Sequence, residues 1–149
     1  MNTYCKQDLN SEEISALLKE TGLSATSQRI GLCRYILCEA KHPTVEDIRE
    51  WAAENGIKAS LATIYNTLHA LCNAGLIKDL RFPHLDKVIY DNNVASHHHF
   101  LDEESGQIID IDQKDFKFSS KLSEAFEVHD VDVLIRGKLK NKGISCLEK

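Results

Sequence analysis

The spacing of apolar residues changes at Gly75, and this change constrains the fold more than any other feature. Before Gly75 the apolar residues recur every three or four positions, as on one face of an amphipathic helix. After it they alternate with polar residues, as along a strand that buries one face. A run of helices followed by a run of strands predicts an α+β fold.

Capping residues and helix breakers divide the first half of the chain into four predicted helices. Ser11 is expected to cap the first, Thr44 the third and Ser60 the fourth, because their hydroxyls can accept from backbone N–H groups of the first turn. Gly22, Pro43 and glycines further on supply the breaks. The predicted bounds are 11–22, 27–39, 44–55 and 60–75.

Two alternating runs, 76–82 and 87–91, flank a short polar segment and predict a hairpin. Helices followed by a hairpin are typical of a winged helix-turn-helix, which we predict for residues 1–91. Such folds usually place one helix in the major groove of DNA, with the wing near the backbone. The fold alone does not establish that function.

The fourth predicted helix is the candidate recognition helix. Its buried stripe is predicted to contain Leu61, Ile64, Leu68 and Leu71, with Thr67 outside it. Polar side chains outside the stripe can contact phosphates or base edges, and Arg29 can meet a phosphate. The alternative is an ordinary amphipathic helix with a solvated polar face. The candidate DNA-contacting residues are Arg29, Ser60, Thr63, Tyr65 and Asn66.

Three consecutive histidines and several carboxylates lie between Tyr90 and Asp112. In an extended chain His97 and His99 point to one face and His98 to the other. Imidazole and carboxylate together suit divalent zinc, iron or manganese. The residues therefore predict a metal site, with a surface histidine cluster that binds nothing as the alternative.

Composition narrows the classes of protein. The 149 residues, 42% hydrophobic, are enough for a substantial core, and the N-terminal residues lack the apolar run of a signal peptide. We expect a cytoplasmic protein without a membrane partner. A net charge of -5 argues mildly against nucleic acid, although a local basic face can exist on an acidic protein. The five cysteines, with no C-x-x-C, indicate neither a disulfide framework nor a thiolate zinc site.

The remaining residues, 92–149, are predicted to form a small C-terminal α/β domain. We expect a hairpin with its turn at 103–106, a helix at 119–126 and a strand at 128–135. Such a core is too small to be stable alone, and pairing with a second copy would complete it. A two-fold dimer would also match a palindromic DNA site.

Several motifs in this order and spacing resemble the ferric uptake regulator family. S-A-T-S-Q-R-I, H-P-T-V-E-D-I and S-L-A-T-I-Y-N-T-L-H-A-L-C-N-A-G-L-I are similar to its DNA-binding half, and S-H-H-H-F, G-Q-I-I-D-I and E-V-H-D-V-D-V-L-I-R-G to its dimerisation half. The resemblance implies a metal-dependent homodimer that binds palindromic, A/T-rich operators and mostly represses transcription. It also implies one regulatory divalent metal per subunit, Fe²⁺ or Mn²⁺, with Zn²⁺ able to occupy the site in vitro. By motif the ligands would be His42, Asp91, His97, His99 and Asp110.

Asp110 carries the finer expectation. Iron-responsive members commonly have Glu at this position, whereas peroxide-sensing members have Asp. The resemblance to the latter implies that Fe²⁺-catalysed oxidation of His42 or His97 releases metal and DNA. An iron, manganese or zinc uptake repressor that never senses peroxide is the alternative.

The chain departs from the family pattern at the structural zinc. Family members often carry two C-x-x-C pairs, which would fall at Asp102 and Ser105 and near Leu139 and Lys142. We therefore expect no structural zinc held by four cysteines. Asn66 also replaces a frequent arginine, so operator preference cannot be transferred.

A mononuclear metalloenzyme with two histidines and one carboxylate is a different reading of the same ligands. The sequence offers no clear general base, nucleophile or anion pocket beside them. We therefore predict that the chain is not an enzyme.

Overall fold

The computed structural model describes residues 8–83, 85–117, 119, 121–122, 124–129 and 131–140. They divide into two compact units, and the division falls between Val94 and Ala95. The boundary predicted from the sequence, after residue 91, lies three residues earlier. We call the two parts the N-terminal unit and the C-terminal unit and describe each by itself.

The N-terminal unit contains four α-helices followed by a two-stranded hairpin. The helices are α1 (Ser11–Glu20), α2 (Ser27–Arg34), α3 (Val45–Glu54) and α4 (Leu61–Asn73), and a π-helical turn, Tyr35–Glu39, continues α2. The strands β1 (Lys78–Leu80) and β2 (Ile89–Asp91) pair antiparallel. The predicted order of helices and wing is confirmed, and the strands are shorter than the alternating runs that predicted them.

Side-chain caps fix where the helices begin. The hydroxyl of Thr44 accepts from the N–H of Asp47, and the carboxylate of Asp47 accepts from the N–H of Thr44, which completes a capping box for α3. The cap predicted for α1 was displaced by one residue. Asn10, and not Ser11, is the N-cap, because its amide oxygen accepts from the N–H of Glu13.

Buried aliphatic side chains from all four helices form the core of the N-terminal unit. Burying one such side chain fully contributes roughly 1.5–3 kcal/mol, so this unit has enough apolar burial to hold its helices together. The largest fully buried aliphatic residues are Ile14, Leu18, Leu32, Ile36, Ile48, Ile64, Leu68 and Leu71.

The C-terminal unit contains a three-stranded sheet. Its central strand β3 (His98–Asp102) pairs antiparallel with β4 (Ile108–Ile111) and parallel with β5 (Leu134–Gly137). The predicted hairpin is confirmed, and its turn ends at Gly106, whose φ of 75° is a conformation that glycine adopts readily.

The helix predicted at 119–126 is wrong over its described residues, which form only a turn at Glu124 and Ala125. A helix this short is marginal without a packed face, and both Leu122 and Phe126 are exposed. The strand predicted at 128–135 begins only at Leu134. Residues 120, 123 and 130, which belong to these segments, lie outside the described part.

Among the described residues, none of the helices combines the length and apolarity that a membrane span requires.

Candidate metal centre

Two histidines and an aspartate of the C-terminal unit converge on one face of the sheet. Strand register places His99 directly opposite Asp110, and His97 lies two residues before His99, so the three side chains share that face. Nε2 of His97 lies 2.9 Å from Nε2 of His99 and 3.3 Å from Oδ1 of Asp110. Nε2 of His99 lies 3.7 Å from the same oxygen. We call these residues the strand trio.

The trio's donor atoms suit a divalent ion. Ligand bonds of about 2.0–2.2 Å, at angles between octahedral and tetrahedral, place neighbouring ligand atoms roughly 2.8–3.6 Å apart. Two of the three measured separations fall in this range, and the third is slightly longer. Nitrogen and oxygen donors without thiolate suit iron, manganese or zinc.

The backbone orients the first imidazole. Nδ1 of His97 lies 2.7 Å from the carbonyl oxygen of Ala95, to which it can donate, and this hydrogen bond directs the lone pair of Nε2 towards the other donors. The neighbouring His98 lies on the opposite face, where its ring meets the ring of Phe116 edge-on at 5.8 Å. The alternation along the chain therefore separates His98 from the trio, as the sequence predicted.

The N-terminal unit holds the other two predicted ligands, which we call the loop pair. Nε2 of His42 lies 3.7 Å from Oδ2 of Asp91, and both side chains are largely buried. Oδ1 of Asp91 accepts from the N–H of Asn93 at 2.8 Å, which leaves Oδ2 as the oxygen that faces the imidazole. An imidazole and a carboxylate in this arrangement are again a donor set for a divalent ion.

The backbone of His42 has an unusual conformation. Its φ of 49° is the only positive value of a non-glycine residue among those the structure describes. A non-glycine residue held there usually costs about 1–3 kcal/mol and persists only when its surroundings impose it, which is common at ligand-binding positions. Residue type and spacing gave no signal of this strain.

The exposure pattern of α4 differs from the predicted stripe in two places. Leu61, predicted to be buried, is 46% exposed, and Thr67, predicted outside the stripe, is fully buried. The hydroxyl of Thr67 donates to the carbonyl oxygen of Thr63 one turn earlier, and this satisfies its polar atom inside the core. The correct stripe is Ile64, Thr67, Leu68 and Leu71.

The predicted DNA-contacting residues near α4 are accessible to different degrees. Tyr65 is 52% exposed, and Asn66 is exposed beside it. Ser60 caps the helix by accepting from the N–H of Thr63, and its hydroxyl also lies 3.0 Å from that of Thr63. Away from α4, the guanidinium of Arg29 donates to the carbonyl and hydroxyl oxygens of Ser24. These observations leave Tyr65 and Asn66 as the most available groups.

A sequence profile described as the ferric uptake regulator family matches residues 20–136. The chain belongs to this family. Its members are metal-responsive transcription regulators that bind DNA as dimers, so the chain is a transcription regulator and the metalloenzyme reading is excluded.

Individual relatives agree with this assignment. The peroxide-responsive repressor PerR of Staphylococcus aureus strain Mu50 is 29% identical over 120 residues, 80% of either chain. The peroxide stress regulator of Campylobacter jejuni is 25% identical, with a TM-score of 0.60 over 87% of this chain and 98% of that one. The ferric uptake regulator of Vibrio cholerae is 20% identical, with a TM-score of 0.63 over 84% and 98%, and it supports the fold.

In this family member, hydrogen bonds occupy positions where the family pattern would place zinc thiolates. The carboxylate of Asp102 accepts from the hydroxyl of Ser105 at 2.5 Å and from the N–H of Leu139 at 3.3 Å. One carboxylate therefore joins the β3–β4 turn to the segment after β5. These hydrogen bonds, the one from Ser105 first, hold the pKa of Asp102 below its ordinary value.

Proposed function

We propose that this regulator is a cytoplasmic, metal-dependent repressor that senses peroxide through oxidation of a ligand histidine, His42 or His97. The observation that carries the proposal is the strand trio, an N/O donor set that contains Asp110 and no thiolate. The similarity to PerR of Staphylococcus aureus over four fifths of the chain supports the peroxide-sensing assignment.

The regulatory ion would be Fe²⁺ or Mn²⁺, held by the strand trio and the loop pair together. Ferrous iron at these ligands would supply redox catalysis that manganese does not. All five side chains offer imidazole nitrogen or carboxylate oxygen, the donors both ions accept. The family resemblance implies that one ion binds both the strand trio and the loop pair. Such shared binding would couple metal binding to a change between dimer states that differ in DNA affinity.

Hydrogen peroxide is the oxidant of the histidine, and the products are an oxidised imidazole and water. The carbon between the two ring nitrogens gains one peroxide oxygen as a carbonyl, and its hydrogen moves to nitrogen. The O–O bond breaks, and the second oxygen leaves as water. The imidazole gains one oxygen in mass and loses its basic lone pair, so it can no longer serve as a ligand.

The DNA target would be a palindromic, A/T-rich operator read by α4. Tyr65 and the neighbouring Leu61 present apolar surface that suits the methyl group of thymine, and Asn66 can pair with an adenine edge. Arg29, Ser60 and Thr63 would contact the backbone. A two-fold dimer places two such helices on two half-sites.

The decisive experiment compares protein loaded with Fe²⁺ or Mn²⁺ under anaerobic conditions, before and after dilute peroxide. Binding is measured to a palindromic A/T-rich duplex obtained by selection, with mass spectrometry of each sample. We expect peroxide to abolish binding only in the iron form, with one oxygen gained on the peptide of His42 or His97.

Asp110→Glu is the matched variant, because it keeps a carboxylate ligand while lengthening its side chain. We expect it to retain metal-dependent DNA binding and to lose much of the histidine oxidation. Metal-dependent binding that survives peroxide in the wild-type protein, without oxidised histidine, would instead establish an uptake repressor. Binding that does not depend on metal would refute both readings.

A further inference from the structure

The segment that carries His42 follows a helix end whose carbonyl groups need partners. The π-helical turn Tyr35–Glu39 ends with the N–H of Ala40 donating to the carbonyl oxygen of Tyr35. The last carbonyls of any helix have no partner within it. Here the last carbonyls lie within hydrogen-bonding distance of Asn92, the residue that follows β2.

Asn92 supplies hydrogen bonds to this helix end. Its side-chain nitrogen lies 3.0 Å from the carbonyl oxygen of Ile36, 3.2 Å from that of Leu37 and 3.1 Å from that of Ala40. The two hydrogens of one amide group are therefore shared among three carbonyl oxygens more than fifty positions earlier in the chain. Its side chain is partly buried, so water competes with these hydrogen bonds only in part.

A second anchor lies on the other side of His42. The backbone N–H of Tyr90 donates to the carbonyl oxygen of Pro43 at 2.9 Å. The residues on either side of Asp91 therefore bind the chain on either side of His42, at Ala40 and at Pro43. This double attachment fixes both ends of the short segment whose imidazole lies opposite the Asp91 carboxylate and whose His42 has a positive φ.

We propose that Asn92 is a positioning residue for the metal site, which fixes the loop pair before the ion arrives. The proposal rests on the metal-binding function proposed above. The amide of Asn92 acts on the ion through His42 and is not itself a ligand. Residues of this kind around a metal site typically contribute ten- to a hundredfold to metal affinity.

The test measures Mn²⁺ affinity of the full-length protein by competition with a chelator. We expect Asn92→Ala to weaken Mn²⁺ binding about tenfold. Asn55→Ala is the matched control, because the side chain of Asn55 also donates to a helix-end carbonyl, that of Trp51 in the last turn of α3, and does not contact the segment that carries His42 in any described hydrogen bond. It should leave the affinity unchanged, although it removes the same kind of hydrogen bond.

A double-variant cycle separates positioning from general stability. In a His42→Ala background, Asn92→Ala should have no further effect on Mn²⁺ affinity, while its effect on thermal stability without metal should persist. An equal loss of affinity in both backgrounds would overturn the proposal. Should Asn92→Ala not fold, Asn92→Ser, whose hydroxyl can still donate once, should show a smaller loss that also disappears in the His42→Ala background.

Failure of the inference differs from failure of the proposed function. Wild-type protein that binds no Mn²⁺ would remove the metal site itself. If the wild-type protein binds Mn²⁺ and Asn92→Ala binds it equally tightly, the metal site stands and Asn92 has no role in positioning it.

Discussion

The strand trio and the loop pair use the same donor chemistry but are built in different ways. The trio is arranged by strand register, because the hydrogen bonds that form the sheet also place His99 opposite Asp110. The loop pair depends on a positive φ at His42 and on side-chain and backbone hydrogen bonds from the end of β2. A ligand on a regular strand is held more rigidly than one on a loop, and although Asp91 ends β2, His42 lies on a loop. We therefore expect the trio to set metal affinity and the pair to set the response to metal.

The largest effect should follow from removing an imidazole of the trio. We expect His99→Ala to weaken Mn²⁺ binding at least about a hundredfold, because a buried ligand and its sheet-imposed geometry are lost together. Chelator competition measures the loss. His129→Ala, which removes an exposed histidine of the same unit, is the control. Equal affinities for the two variants would show that the trio is not the metal site.

Removing an imidazole of the loop pair should separate affinity from response. We expect His42→Ala to weaken Mn²⁺ binding only about tenfold but to abolish the dependence of operator binding on Mn²⁺. Both quantities are measured on one preparation, by chelator competition and by fluorescence anisotropy with the selected duplex. A His42→Ala protein that still binds the duplex only with metal would contradict the coupling of the two groups.

The difference between the two groups also explains what the sequence could predict. Alternation of side chains along a strand predicted that His97 and His99 share a face, and the structure agrees. The placement of His42 beside Asp91 required the family resemblance, since it depends on contacts between positions about fifty residues apart. The false helix at 119–126 has the same cause. Leu122 and Phe126, its large apolar residues in the described part, are exposed and provide no packed face.

The helix α4 shows how tertiary packing overrides a local pattern. Leu61 was assigned to the core because leucine is apolar, yet it occupies the exposed first turn of α4. Thr67 was assigned to the surface because threonine is polar, yet its hydroxyl is satisfied by the helix backbone and its methyl group packs inside. Periodicity identified the helix correctly, and the contacts of individual side chains decided its faces.

A substitution on the exposed face of α4 should weaken DNA binding without changing the Mn²⁺ affinity of the strand trio or the loop pair. We expect Tyr65→Ala to weaken binding to the selected duplex about tenfold, because the substitution removes the exposed aromatic side chain for which we propose a contact with the groove. Since Tyr65 is exposed, the free energy of unfolding should change by less than about 0.5 kcal/mol. Chelator competition should give an unchanged Mn²⁺ affinity. His69→Ala, at an exposed position one turn further along α4, serves as the control for general effects on the helix.

A smaller effect is expected from pH at the turn that follows the trio's strand. Because hydrogen bonds from Ser105 and Leu139 lower the pKa of Asp102, its carboxylate stabilises the fold above the ordinary carboxyl range, about pH 4. This contribution is lost as the pH falls through the folded-state pKa. The ion pair between Glu103 and Arg136 lies at the same turn and will add its own pH dependence.

Asp102→Asn isolates the contribution of that carboxylate. We expect the melting temperature of the variant to be below that of the wild-type protein at pH 7, and we expect this difference to shrink as the pH falls below about 4. The Glu103–Arg136 pair is common to both proteins and cancels in the difference. A constant difference between the two proteins across this range would show that the charge of Asp102 has no part in stability.

The smallest effect should come from replacing a cysteine. If the response of operator binding to peroxide is unchanged, oxidation of an imidazole is distinguished from oxidation of a thiol. Burial raises the pKa of the Cys33 thiol to about 12 and that of Cys72 to about 11. At pH 8 roughly one Cys33 in ten thousand is then thiolate, the form that reacts with peroxide and with alkylating reagents. Iodoacetamide should therefore label Cys33 in urea but not in the native protein.

Cys33→Ala should keep the full response of operator binding to peroxide, because the proposed oxidation occurs at His42 or His97. If Cys33→Ala no longer responds to peroxide in operator binding, the sensing residue is Cys33 in the helical core and not a ligand histidine.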